Sequence, residues 1–90
     1  MSNLIPIGAG AATSSAFTNA DGSVLTLYII GTAGQASPAS YVDIQYMDSN
    51  GAWNTVYRLG NGQNACVLIG AGTFQALRYA DSGQCGLDSQ

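Results

Sequence analysis

Glycine breaks this chain at short intervals, and the runs between the breaks are short and rich in β-branched and aromatic residues. Asn3–Ile7, Thr13–Thr18, Ser23–Ile30, Tyr41–Asp48, Ala52–Leu59, Asn64–Ile69 and Thr73–Ala80 read as strands, spaced as in a sandwich or small barrel. No segment repeats apolar residues at helical spacing, so helix is not expected. The chain has 90 residues, the length of one domain. The expected fold is a small all-β, Ig-like or Greek-key sandwich of about seven strands over residues 13–90. Residues 1–12 are expected to form an N-terminal arm or an edge strand, because Pro6 has no N–H to give a central ladder.

Tyr41–Asp48 alternates most cleanly. Val42, Ile44 and Tyr46 fall on one face, and Asp43, Gln45 and Met47 on the other. Asp48-Ser49-Asn50-Gly51 follows, and Asn-Gly between two alternating runs signals a hairpin. Strict alternation in the returning strand puts Trp53, Thr55, Tyr57 and Leu59 on one face and Asn54, Val56 and Arg58 on the other. Trp53 is thereby expected to be the largest piece of the core. Ala65, Val67 and Ile69 are expected to point inward. Gly31–Ser40 is expected to be a flexible crossover between two sheets. Cys85 falls in a Gly-rich tail, apart from Cys66 on a strand. A bridge between them would add about 3 kcal/mol. With no secretory leader legible in MSNLIPIGAGAATSS, reduced and separately packed thiols are the expectation.

Charge narrows the function. Charged residues are 8% of the chain, against about 25% in ordinary domains. They are Asp21, Asp43, Asp48, Asp81, Asp88, Arg58 and Arg78; Lys, Glu and His are missing. Two arginines in a chain of net charge −3 make no phosphate-tracking stripe, so neither nucleic acid nor a membrane surface is an expected partner. Without His, Lys or Glu, hydrolytic triads and imidazole chemistry are closed, and the aspartates are scattered. The chain is read as a non-enzyme without cofactor or metal. Gly8-Ala9-Gly10 lacks the third glycine of a dinucleotide loop. Asp48–Gly51 breaks calcium-loop spacing, and two cysteines without His cannot complete a zinc site.

From Val42 the chain reads VDIQYMDSNGAWNTVYRLGNGQNACVLIGAGTFQALRYADSGQCGLD. This stretch resembles small β-sandwich virion proteins of tailed bacteriophages. The resemblance lies in Val42, Ile44 and Gln45 leading to Gly51 and Trp53, then Gly70, Gly72, Thr73 and Phe74 entering a strand with Arg78, and Gly86-Leu87-Asp88 at the end. Ser14-Ser15-Ala16-Phe17 before Gly22 fits the opening more loosely, and Ala71 and Gln75 depart from the pattern, which tends to have Pro and Arg there. It covers roughly the C-terminal half. The resemblance implies a capsid decoration (cement) protein, made in the bacterial host cytoplasm. Such a protein sits on the capsid surface against the major capsid protein or another virion protein, as a homo-oligomer and often as a trimer. Its role is mechanical, tying capsomers together.

The anchors expected from sequence are Leu4, Ile5, Pro6, Ile7, Met47 and Val56, which are apolar (or, for Pro6, edge-suited) without an evident core role. Deleting residues 1–12 is expected to leave the sandwich folded. Two other readings stand beside decoration: a tail, neck or fibre-attachment protein of the same kind of virion, and an extracellular carbohydrate-binding or adhesin module. Five Tyr and one Trp are enough to line a sugar-binding face, though such residues more often fill a small β core.

Overall fold

The computed structural model describes residues 2–32, 40–60, 62–79 and 84–90. They form an all-β fold of two antiparallel sheets. In chain order the strands are β1 (Ser2–Gly8), β2 (Ala12–Thr13), β3 (Phe17–Asn19), β4 (Val24–Gly31), β5 (Tyr41–Met47), β6 (Trp53–Gly60), β7 (Ala65–Ile69), β8 (Gly72–Arg78) and β9 (Cys85–Ser89). Sheet one runs β1-β9-β4-β7. Sheet two runs β2-β8-β5-β6, with β3 also paired to β8. Neighbours such as β9–β4, β4–β7 and β8–β5 are distant in sequence, the crossed order of a sandwich whose chain repeatedly changes sheet. The crossover leaves sheet one at Gly31 and enters sheet two at Tyr41; its residues 33–39 lie outside the described residues.

The core is what alternation delivers from both sheets. Ile5, Leu27, Ile29, Cys66, Leu68, Cys85 and Leu87 face Val42, Ile44, Leu59, Phe74 and Ala76. Asn19, itself buried, clips the layers: its amide nitrogen lies 3.0 Å from the Ser23 and Gly70 carbonyls and 3.3 Å from that of Leu68. Arg78 does the same at the other end. Its guanidinium donates to the carbonyls of Gly10 (2.6 Å), Pro6 (2.6 Å) and Cys85 (2.7 Å), so a buried cation is solvated by backbone oxygens.

Five sequence expectations need correction. Trp53 is half-buried and outside the core cluster. The cause is a β-bulge. Ile44 pairs with Tyr57 but Gln45 pairs with Thr55, so Val56 is the extra residue on β6. Beyond it the alternation inverts, and Trp53 pairs with Met47 on the outer face while Leu59 stays inside. The aromatic mass inside the sandwich is instead Phe74, with Phe17 at 6.1 Å and Tyr46 at 5.6 Å between ring centroids.

On β7 the inward residues are Cys66 and Leu68, while Val67 and Ile69 face out. An unbroken apolar run such as ACVLI carries no alternation from which to choose a face.

The Gly-rich tail is a strand. β9 lies between β1 and β4, with Cys85, Gly86 and Leu87 all buried. The run Thr13–Thr18 is two short strands. Between them Ser14 replaces a ladder position: its N–H donates to Ala76 O, and its hydroxyl accepts from Ala76 N–H, both at 2.9 Å.

Residues 2–8 form the edge strand of the two N-terminal possibilities, and Ile5 is 1% exposed in the core. Removing residues 1–12 would therefore open the core.

Both cysteines are free and buried. Cys66 pairs with Leu27 on one flank of β4, and Cys85 with Gly31 on the other. That separates them by about 13 Å along the strand and about 10 Å across it, beyond the roughly 4–7 Å between α-carbons that a disulfide spans.

Candidate functional site

Catalysis needs an accessible group with a useful pKa. The thiols fail this test. Burial pushes Cys66 up to about 11. Burial also raises Cys85, against smaller opposing effects of the Ser40 hydrogen bond and the Arg78 charge. The informative surfaces are the outer faces of the two sheets.

On sheet one, β4 and β7 carry no charged residue. Val24 sits directly opposite Ile69, and Thr26 opposite Val67. The three aliphatic side chains are 61%, 76% and 43% exposed for Val24, Ile69 and Val67. They form an apolar stripe along an edge of the sheet. Further across the same sheet, Asp88 accepts from the Asn3 amide at 2.9 Å, and the Tyr28 hydroxyl meets Gln90 Oε1 at 3.0 Å.

On sheet two the outer face is polar and aromatic. Asp43 and Arg58 are cross-strand partners, brought together by the hairpin. Asp43 Oδ1 accepts from Arg58 Nε at 2.7 Å; Oδ2 accepts from Nη2 at 3.0 Å and from the Tyr79 hydroxyl at 2.9 Å. Burial pushes Asp43 up, but Arg58 and Tyr79 outweigh it and hold the carboxyl below its ordinary range. The hydrogen bond to Asp43 raises Tyr79 in turn. The Arg58 guanidinium lies 4.5 Å from the Tyr41 ring centroid, and Tyr41 lies 5.2 Å from Tyr79. Next along the strands, Gln75 donates to Gln45 Oε1 at 2.7 Å, and Gln45 reaches Thr55 Oγ1 at 3.4 Å. Met47, Trp53 and the half-buried Leu77, opposite Asp43 on β8, also lie on this face.

The hairpin that creates this face is held by Asp48. Its carboxylate accepts from the Asn50 and Ala52 N–H groups (2.9 and 3.0 Å) and the Asn54 amide (2.9 Å). The Ala52 N–H, then Asn54 and Asn50, draw its pKa below the ordinary range. Gly51 takes φ 81°, the left-handed conformation that the turn needs.

The structure does not bring the expected anchors together. Ile5 is core, and Leu4 is half-buried against it. Pro6 and Ile7 are exposed on the β1 edge of sheet one. Met47 is half-buried and Val56 exposed at the bulge, both in sheet two. The stripe on β4 and β7 was missed because Val67 and Ile69 were assigned inward. The Asp43–Arg58 pair had no legible signal, because the unbulged register set by Met47 and Trp53 would place Tyr57 opposite Asp43.

Family models, curated proteins and solved structures were compared with the chain, and none matches.

Proposed function

We propose that this protein is a structural virion module of a tailed phage, a capsid decoration protein that docks on the shell through the outer face of sheet one. The observation that carries the docking surface is the stripe of Val24, Val67 and Ile69, exposed on two strands without charge. Exposed contiguous apolar surface is unfavourable on a free monomer and favours burial against a partner. The charge-poor composition supports the same reading, since few ion pairs can form across any interface. The virion assignment rests on the resemblance of the C-terminal half.

The test is co-sedimentation with purified shells of the parent phage. Apolar burial is hardly weakened by salt, whereas exposed ion pairs are screened within about 8 Å at physiological ionic strength. The protein is expected to stay bound in about 1 M NaCl and to be released by urea. Ile69→Asp, on an outward side chain, is expected to keep the fold and lose the shell. Release of the unmodified protein by salt, or full binding of Ile69→Asp, contradicts the proposal.

A further inference from the structure

The outer face of sheet two is built unlike a passive surface. Its central row runs across three strands, Thr55 on β6, Gln45 on β5 and Gln75 on β8, joined by side-chain hydrogen bonds. That row spans about 10 Å. Two residues along β5 and β6 from that row stand Trp53 and Met47, directly paired. On the opposite side of the row along the strands, Arg58, Tyr41 and Tyr79 stack into a wall over Asp43. From the Met47 pair to the Asp43 pair is four residues of β5, about 13 Å. The cross-strand row between them is Thr55, Gln45 and Gln75, with the exposed Val56 beside it at the bulge.

We propose that this face binds a short neutral oligosaccharide, with Trp53 as the stacking surface and Gln45, Gln75, Thr55 and Arg58 as the hydrogen-bonding groups. Three observations choose that class. First, charge: the anion of the face is engaged by its cation, and both Asp43 oxygens accept hydrogen bonds within the protein. A neutral ligand meets no unmatched charge there, while a nucleic acid or acidic polymer meets a chain of net charge −3 with two arginines, one of them buried. Second, donors and acceptors: carboxamides and hydroxyls offer both, as sugar hydroxyls demand. Arg58 is 60% exposed yet fixed by its bidentate bond, so a ligand that meets it orders little further. Third, the bulge at Val56 brings Trp53 out of the core and onto this face. A bulge that re-aims one side chain is a recurrent device beside binding sites. An aromatic ring on a polar row supplies the apolar half of a sugar's amphipathic surface.

The inference is independent of the docking proposal, because it concerns the opposite sheet and is tested on free protein. The probes are neutral oligosaccharides of glucose, galactose, mannose and N-acetylglucosamine, titrated calorimetrically and by Trp53 fluorescence into the millimolar range. At least one series is expected to bind, to change the emission of Trp53, and to be unaffected by salt. Trp53→Ala is expected to weaken binding about tenfold or more, and Trp53→Phe to restore most of it. Gln75→Ala, whose position is outside the core, is expected to weaken it severalfold with the fold intact by circular dichroism. Lack of binding by every series, binding that salt abolishes, or unchanged affinity in folded Trp53→Ala and Gln75→Ala overturns the proposal.

Discussion

Gly86→Ala tests the architecture at the strand that defines it. Gly86 lies in β9, flanked by β1 and β4. A β-carbon there would overlap the Ile5 carbonyl oxygen. It would also stand 2.9 Å from Ile7 N and 3.0 Å from Pro6 C. Ordinary carbon contacts lie at about 3.5–4.0 Å, so the intrusion is about half an ångström or more against three backbone atoms. Backbone cannot rotate away as a side chain does, so β1 must move as a unit. Overpacking alone costs about 1–3 kcal/mol. Displacing β1 also exposes Ile5, worth about 2–3 kcal/mol when fully buried. The expected loss is about 3–6 kcal/mol, from a total of about 5–13 kcal/mol for a chain of this length. Urea unfolding followed by circular dichroism measures it, and hydrogen exchange should show β1 amides losing protection first. A loss below about 0.5 kcal/mol, the usual range for surface changes, would mean that β1 does not pack on Gly86 and that the order of sheet one is wrong.

Trp53→Ala and Leu59→Ala separate the two faces of β6: the first is expected to cost about 1–2 kcal/mol and the second about 2–5 kcal/mol, and denaturant midpoints in the reverse order would place the tryptophan inside. Asp43 is held below its ordinary value of 3.8 in the folded state. Its contribution is therefore present above that pH and lost as pH falls through the folded value, so acid unfolding should become shallower in Asp43→Asn. The two thiols are expected to stay reduced: the mass of the air-exposed native protein should equal that of the reduced chain, and Cys66 should react slowly at neutral pH and readily in denaturant.

The sandwich was legible because Tyr41–Asp48 alternates and because glycines mark the turns. Which face each strand buries was legible only where polar residues interrupt the pattern. In β7 none do, so the choice of Cys66 and Leu68 over Val67 and Ile69 is made by the partners β4 offers. The bulge at Val56 leaves no local mark, since it is a mismatch of count between two strands, and it alone moved Trp53 from expected core to candidate binding face. β9 was hidden by Gly86, read as a loop residue; in the fold it is the residue over which β1 packs. The Asp43–Arg58 pair depends on the same bulge, which sets Arg58 rather than Tyr57 opposite Asp43, and Tyr79 joining it depends on β8 lying beside β5, a contact between segments far apart in the chain.

The central claim, that this is a shell-docking module using sheet one, is tested most directly by an electron cryomicroscopy map of the parent particle. The expected result is density for this sandwich on the outside of the capsid, with Val24, Val67 and Ile69 against the capsid protein and Trp53 turned to solvent. A capsid without such density, or the sandwich seated with Val24, Val67 and Ile69 facing solvent, would contradict it.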